Sequence, residues 1–311
     1  MYLRILLILL LFFSCKSDNT TVFSGKILNN TSDFISIYKD NNMIYESVVD
    51  VDGLFNITID TITSGLYTFY HEPEFQYIII DENDNLQIRL NTLDFDESLV
   101  YTGKGSSKNN FLMDVFLRSE KDELEINSKL DLAFDIFKNL VDSLYNKQMN
   151  YFKMFKENNI LSNSSKEIIN TAILYPYISK FHSYIIRNNI EEEIQKDLFI
   201  NYQNEISYDL DALAYFKPYI DFLYLHIYNN VKIKKDYENS LDFNIQRLLY
   251  TDKIIKSKLV KSRVLRFHAF GFILQRQDDV KNKTFLKAFF EISKDKKVNE
   301  EINNLYNELK E

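Results

Sequence analysis

The hydrophobic pattern of the chain changes its period once, near residue 105, and this change divides the chain into two parts. Before that point, apolar, β-branched and aromatic residues alternate with polar ones in short runs. After it, apolar residues recur every three or four positions up to the end of the chain. The first pattern is typical of half-buried strands and the second of amphipathic helices. The sequence therefore predicts an α+β fold, with an N-terminal antiparallel β-sandwich or barrel over residues 21–104 and a C-terminal all-α helical array over residues 105–311.

Eight strands are predicted in the first part. They cover residues 22–28, 34–38, 43–49, 54–59, 66–71, 75–80, 86–90 and 99–102. Asn, Asp and Ser clusters separate these runs, and Asp40-Asn41-Asn42 predicts a tight hairpin between the second and third strands. Strands this short, with turn signals about every eight to twelve residues, are typical of sandwiches and barrels.

The second part predicts a succession of helices. They cover residues 110–120, 130–155, 164–186, 190–202, 218–231, 241–250, 254–275, 284–292 and 300–309. The apolar stripe from Leu130 to Phe155 favours packing in a bundle. The stretch Ser164-Ser165-Lys166-Glu167 has the composition of a capping box that would open the third helix. Pro176 falls inside that helix, so we expect a kink or a break there.

The first fourteen residues have the composition of an export signal. Arg4 supplies a positive charge, and residues 5–13 form an apolar run that is too short for a permanent membrane span. The end of this segment, Phe12-Phe13-Ser14-Cys15, resembles the lipobox of bacterial lipoproteins. The resemblance implies that residues 1–14 are a lipoprotein signal peptide, that Cys15 is lipidated and that residues 15–20 form a tether.

A lipidated Cys15 would fix the protein in the cell envelope. Several acyl chains give a stable attachment, whereas a single chain gives a marginal one. We therefore expect a lipid-anchored protein, in the outer membrane and facing the periplasm or the exterior. An ordinary cleaved signal with an incidental cysteine, or a buried N-terminal helix, is the alternative interpretation.

Composition excludes several functions. Cys15 is the only cysteine, so the chain has no internal disulfide, no CxxC redox centre and no cysteine-based zinc site. The net charge of -8 argues against nucleic acid as a partner. Six glycines leave little room for a phosphate-binding or dinucleotide-binding loop. We interpret the 21 Tyr and 25 Phe as a bias in nucleotide composition rather than as a carbohydrate or base-stacking surface.

Short turn motifs in the first part resemble a known family. They are Val51-Asp52-Gly53-Leu54-Phe55, Ser64-Gly65-Leu66-Tyr67, Asp84-Asn85-Leu86-Gln87-Ile88 and Tyr101-Thr102-Gly103. The set is similar to the β-rich N-terminal domain of unknown function in TlpA-like thiol-disulfide interchange lipoproteins. The resemblance implies a structural turn motif made of Asp52, Gly53, Phe55, Gly65 and Tyr67. Gly53 and Gly65 would adopt positive φ at hairpin turns, and Phe55 and Tyr67 would face the sandwich core.

The family also carries a domain that this sequence lacks. Its helical segment is followed by a thioredoxin-like domain with a W-C-x-x-C motif, whose thiolate performs the exchange. The present sequence ends at Glu311, where that domain would begin. We therefore expect the chain to be the non-catalytic region alone, with no cofactor.

Other catalytic or metal-binding patterns are weak, and we predict no catalytic residue and no metal ligand. The four histidines, His71, His182, His226 and His268, have no H-x-x-x-H spacing. We expect His268 in the core or at its boundary, and His71 in a polar turn. Glu191-Glu192-Glu193 has the charge expected at a helix start. Lys253, Lys256, Lys258, Lys261, Arg263 and Arg266 form a basic cluster that we interpret as a solvated helix face.

Two functional interpretations follow. The first is a lipid-anchored, non-enzymatic binding or scaffold protein that presents a groove to a protein partner or small ligand. The alternative is a truncated or accessory part of a TlpA-like thiol-disulfide oxidoreductase. We favour the first, because the sequence contains no redox group. A hydrolase with two carboxylates about 5–10 Å apart stays open, since such a pair leaves no local motif.

Overall fold

The structure is a computed structural model that describes residues 20–232, 241–275 and 278–310. The predicted signal peptide, Cys15 and the tether up to residue 19 lie outside these residues. The described strands are β1 (Thr21–Leu28), β2 (Phe34–Lys39), β3 (Asn42–Val48), β4 (Leu54–Ile59), β5 (Gly65–His71), β6 (Glu74–Ile80), β7 (Asn85–Asn91) and β8 (Val100–Lys104). The described helices are α1 (Phe95–Ser98), α2 (Ser106–Asn127), α3 (Phe134–Asn158), α4 (Asn163–Asn188), α5 (Glu192–Phe199), α6 (Lys217–Lys232), α7 (Leu241–Ile254), α8 (Lys258–Ile273), α9 (Asp279–Ile292) and α10 (Lys296–Lys310).

The strands form two four-stranded sheets, and the predicted α+β fold is confirmed. One sheet has the order β4-β1-β7-β8 and the other the order β3-β2-β5-β6. The second sheet is antiparallel throughout. In the first sheet, however, β1 and β7 run parallel, with Val22 opposite Asn85. Periodicity predicts which residues form a strand but not its neighbour, so this parallel pair was not predicted.

The core of the sandwich lies between the two sheets. Its largest side chains include Phe23, whose ring lies 5.2 Å from that of Phe55 and 5.5 Å from that of Phe69. In β4, alternate residues from Phe55 to Ile59 are buried and the residues between them are exposed. This is the period of two on which the strand prediction rests.

The turn that contains Gly53 connects the two sheets. Gly53 has φ +78°, as expected, but it joins β3 of one sheet to β4 of the other and is not in a hairpin. Its carbonyl accepts the N–H of Ile27 at 2.8 Å. The Asp50 carboxylate accepts the N–H groups of Asp52 and Leu54 at 2.9 and 2.8 Å, so Asp50 organises this turn and Asp52 contributes its backbone.

The positive φ expected at Gly65 is not found. Gly65 is the first residue of β5, and its φ is not in the left-handed region. A Cβ atom there would lie 3.1 Å from Nζ of Lys39, which donates to the carbonyl of Leu66 at 2.8 Å. The glycine therefore leaves room for a lysine that crosses the strand. Tyr67, two residues later, is buried in the sandwich core. The predicted hairpin after β2 is present, with Asp40 and Asn41 at positive φ.

Helix α4 differs from its prediction in two ways. Its N-cap is Ser162, two residues before the predicted Ser164, because the Ser162 hydroxyl accepts the N–H of Ser165 at 3.0 Å. It also continues without a break through Pro176. The neighbouring residues Tyr175 and Tyr177 are both buried.

The helical part shares its core with the second sheet. Leu66 of β5 and Ile79 of β6 belong to the same cluster of buried side chains as Phe137 of α3 and Phe181 of α4. The second sheet is thus covered on one face by the first sheet and on the other by helices. Among the described residues, no helix is both long and apolar enough to cross a membrane.

Candidate binding site

A pocket of about 320 Å³ opens where the helix-facing side of the second sheet meets α6 and α8. We call it the aromatic pocket; its lining includes Tyr38, Tyr70, Phe75, Tyr77, Tyr215, Tyr224, Arg263 and Phe267. Its volume lies at the lower end of the range of about 300–1,000 Å³ that is usual for small-molecule sites.

Strand pairing positions the aromatic side chains of the sheet wall. Tyr70 of β5 lies directly opposite Phe75 of β6, and their rings stack at 5.3 Å between centroids. The ring of Tyr38, from β2, lies 4.6 Å from that of Tyr70. Because side chains alternate along a strand, Tyr70 points toward the helices while its neighbour Phe69 is buried in the sandwich core. The sheet therefore presents a continuous row of aromatic rings to the pocket.

Two helices form the opposite wall. Arg263 and Phe267 are four residues apart on α8 and so lie on the same helix face. The ring of Phe267 stacks on that of Tyr224 from α6, with 3.8 Å between centroids. Tyr215 precedes α6, and its ring lies 4.9 Å from the Arg263 guanidinium carbon. The cation is thereby held against an aromatic face.

Arg263 has unused hydrogen-bonding capacity. Its guanidinium carries five N–H donors, yet within the described chain it makes no hydrogen bond and no ion pair. Its Nε is buried and has no acceptor. Arg266, less than one turn later, is fully engaged because it forms an ion pair with Glu301. The basic cluster is thus not a uniformly solvated face, and the expectation is wrong for Arg263.

Burial raises the pKa of three tyrosines that line the pocket, Tyr70, Tyr77 and Tyr224. Burial raises the pKa of Tyr77 to about 12, although hydrogen bonding to Lys217 and the charge of Arg263 oppose the rise. Tyr77 is already committed, because its hydroxyl accepts the N–H of Lys217 at 3.0 Å and donates to the carbonyl of Tyr215 at 3.2 Å.

A larger and more open cleft adjoins the aromatic pocket. This acidic cleft, of about 620 Å³, shares Phe75, Tyr77, Lys217 and Asp221 with the pocket. Its charged lining residues are Glu74, Asp96, Glu120, Glu123, Lys180, Lys217 and Asp221. The two lysines are neutralised, Lys180 by Glu123 and Lys217 by Asp221. The cleft is therefore net negative, whereas the pocket beside it holds the unpaired Arg263.

Side chains cover part of the strand edge that borders the acidic cleft, which disfavours pairing with an added strand. The cleft borders β6, an edge strand of the second sheet, where unpaired backbone groups invite another chain to pair. The side chain of Gln76 accepts the N–H of Tyr77 at 2.8 Å and donates to Asp96 at 2.8 Å, so it occupies one position on this edge.

Glu123, in the same cleft, has a lowered pKa, because Lys180 outweighs the burial that alone would raise it. That is opposite to the raised pKa that a general acid of a hydrolase needs.

His182 and His226, far apart in sequence, meet between α4 and α6. Asn229 donates to Nδ1 of His182 at 2.9 Å, so the ring proton of His182 is on Nε2, which donates to Nδ1 of His226 at 3.3 Å. Nε2 of His226 lies 3.1 Å from the hydroxyl of Tyr208 and 3.3 Å from the side-chain amide nitrogen of Asn230. Burial lowers the pKa of both rings, for His226 to about 4. In the described part of the chain, no group of three or more His, Cys, Asp or Glu residues could hold a metal ion.

The other predicted residues lie away from the aromatic pocket. Asp52, Gly53, Phe55, Gly65 and Tyr67 do not line it. The predicted turn is present at Glu72-Pro73, directly after His71 at the end of β5, and the His71 ring itself is buried, with its Nδ1 donating to the carbonyl of Phe34 at 3.0 Å. His268 is buried in α8, as expected.

Sequence reasoning missed the pocket because its two walls are distant in the chain. The only local signal is the spacing of Arg263 and Phe267 on one helix face. Comparison of the chain with known protein families, with curated proteins and with solved structures finds no match.

Proposed function

We propose that this chain is a non-enzymatic binding protein, lipid-anchored through Cys15 to the outer membrane and facing the periplasm or the exterior. The observation that carries the binding role is Arg263, a partly buried cation that has a buried Nε and no hydrogen-bond or ion-pair partner in the described chain, at the wall of an aromatic pocket. A charged group withdrawn from water is normally paired, so an unpaired one at a pocket wall favours an external partner. The lipid anchor rests independently on the first fifteen residues of the sequence.

The anchor and the binding role need separate tests. For the anchor, cells expressing the native chain or Cys15→Ala are labelled with palmitate, with and without globomycin. We expect label only on the native chain and a processing block by globomycin. Label on neither chain would remove the anchor and leave Cys15 as a free thiol.

For the binding role, the purified protein is screened by thermal shift against sugars, amino acids, peptides and nucleosides. Phe267→Ala opens the pocket wall, and Leu274→Ala is its matched control because both side chains are about half exposed at the C-terminal end of α8 or just after it. We expect compounds that stabilise the native chain and Leu274→Ala but stabilise Phe267→Ala less. A screen without any stabilising compound would contradict the binding role.

The alternative is an accessory part of a TlpA-like oxidoreductase. Its support is the resemblance of the turn motifs and the positive φ of Gly53. The DNA downstream of codon 311 distinguishes the two proposals: a W-C-x-x-C region there would favour the alternative, and an unrelated gene the binding protein.

A further inference from the structure

We propose that the aromatic pocket binds an acidic sugar, with the carboxylate on Arg263 and the sugar ring between the aromatic walls. This inference rests on the binding role proposed above and names the ligand class.

The charged residues of the pocket favour a ligand with a single negative charge. Its charged lining residues in the described chain are Lys217, Asp221 and Arg263, and the first two pair with each other. Arg263 makes no ion pair in the described chain and offers a planar set of donors, which matches a carboxylate in a bidentate arrangement. A doubly charged phosphate would be matched less well, since the pocket offers one unpaired cation and leaves a second negative charge without a partner.

The phenol hydroxyl groups of the pocket favour a ligand that carries several hydroxyl groups. Within the described chain, the phenol groups of Tyr38, Tyr70, Tyr215 and Tyr224 make no hydrogen bond. A phenol hydroxyl can both donate and accept a hydrogen bond. Such groups lose water when a ligand enters, so a ligand without matching hydroxyls would leave them unsatisfied. A purely apolar or aromatic acid would pair with Arg263 but not with these phenols.

The shape of the pocket favours a ligand that contains a single compact ring. Tyr70 stacks on Phe75 on the sheet side, and Tyr224 stacks on Phe267 on the helix side. Aromatic side chains combine a flat apolar face with, in Tyr, a polar edge, which suits a ring that has C–H faces and hydroxyls around its rim. The volume of about 320 Å³ is at the small end for ligand sites, which favours one sugar residue rather than a long chain.

The test is isothermal titration calorimetry on the full-length protein in detergent, with glucuronate and galacturonate against glucose and galactose. Arg263→Gln removes the positive charge from the pocket. Arg187→Gln is the control, because Arg187 is an exposed arginine on α4 that is paired with Asp131. We expect at least one uronate to bind, its neutral counterpart to bind at least ten times more weakly, and Arg263→Gln to lose at least tenfold in affinity while Arg187→Gln does not. Equal binding of acidic and neutral sugars, or unchanged affinity in Arg263→Gln, would overturn the proposal.

A second variant separates ligand recognition from folding. Tyr70→Phe keeps the aromatic ring and removes only its hydroxyl, so we expect a several-fold weaker affinity for the uronate with an unchanged melting temperature. Benzoate or glucose 6-phosphate binding more tightly than both uronates would overturn the sugar or the carboxylate assignment. If the thermal-shift screen finds ligands of another class and neither uronate binds, this inference fails and the binding role stands.

Discussion

The side-chain amide of Asn109 pairs with the backbone of Ile79 as a neighbouring strand would. Its Oδ1 accepts the N–H of Ile79 at 2.7 Å, and its Nδ2 donates to the carbonyl of the same residue at 2.8 Å. The next residue, Asn110, does the same for Tyr101, at 2.9 and 2.8 Å. Ile79 lies on β6 and Tyr101 on β8, which are edge strands of the two different sheets. Two adjacent amides of α2 therefore satisfy one edge position in each sheet, where exposed backbone would favour aggregation.

This arrangement predicts a large effect of Asn109→Leu. The variant keeps the side-chain volume roughly the same but leaves two buried backbone groups of Ile79 unpaired, at about 1–3 kcal/mol for each group. Urea denaturation of the purified protein measures the loss. Asn109→Asp keeps the acceptor for the N–H of Ile79, so its stability should lie between those of Asn109→Leu and the native chain. In Asn158→Leu, an exposed control at the end of α3, the change should stay within about 0.5 kcal/mol. Equal stability of Asn109→Leu and the native chain would show that the pairing is dispensable.

Gly53 gives a second prediction. A Cβ atom there would lie 2.1 Å from the carbonyl oxygen of Ile27, at a φ of +78° that L-residues rarely adopt. We expect Gly53→Val to lower the free energy of unfolding by at least about 1–3 kcal/mol, from backbone strain alone. Gly271→Ala is the matched control, because a Cβ there meets nothing within 4 Å and the residue is inside α8. That variant should gain about 0.5–1 kcal/mol. Thermal melts that place both variants on the same side of the native chain would contradict this.

The sequence predicted elements whose cause is local and missed features that depend on distant contacts. Residues 54–59 were predicted as a strand and form β4, because alternation is written in those residues themselves. The start of α4 was misplaced because Ser162 and Ser165 also donate to the carboxylate of Asp81 in another part of the fold. The parallel neighbours β1 and β7 likewise depend on the path of the chain between them.

The candidate site was less predictable than the fold. Arg263 was grouped with its basic neighbours, because a sequence does not tell which cation will find a carboxylate. Arg266 finds Glu301 from α10, and Lys261 finds Asp252 from α7, whereas Arg263 faces the tyrosines of the sheet. The abundance of Tyr, which we had interpreted as compositional bias, acquires a local meaning only where folding gathers several phenols around one cation.

Lys108 gives a third prediction, because it lies between two carboxylates. Its Nζ is 2.9 Å from Asp81 and 2.5 Å from Asp84, and all three side chains are largely buried. Burial raises the pKa of Asp84; burial also acts on Asp81, but Lys108 and two serines outweigh it and lower that pKa. Lys108→Met would leave two buried carboxylates without a cation, and we expect a loss of about 3–5 kcal/mol at pH 7.

The pH dependence of Lys108→Met checks the cause of that loss. Without the cation both carboxyl pKa values rise above those of the unfolded chain, so the folded state binds protons first. The deficit relative to the native chain should therefore shrink as the pH falls from 7 to 5, measured by urea denaturation. Lys129→Met, which breaks an exposed pair with Glu125, should lose little stability and show no such recovery. A deficit that is constant with pH would mean that lost packing, not uncompensated charge, is responsible.

The histidine pair gives the last prediction. Burial lowers the pKa of His226 from 6.5 to about 4, and burial also lowers the pKa of His182 well below its ordinary value. Between about pH 6.5 and 4, His226 of the unfolded chain binds a proton that the folded chain does not bind. The free energy of unfolding must therefore fall as the pH falls below about 6.5. For His226 alone the loss is about 3 kcal/mol between pH 6.5 and 4, at about 1.4 kcal/mol for each unit of pKa shift.

His226→Gln isolates this contribution, since glutamine does not titrate. Unfolding free energies of both proteins are measured between about pH 7.5 and 5, where most carboxylates stay ionised. At pH 7.5 the difference between them reports packing and hydrogen bonding alone. As the pH falls to 5, we expect the native chain to lose about 1–2 kcal/mol more than His226→Gln, because only the native chain must keep that ring unprotonated to stay folded. Parallel pH profiles would show that His226 accepts a proton in the folded state.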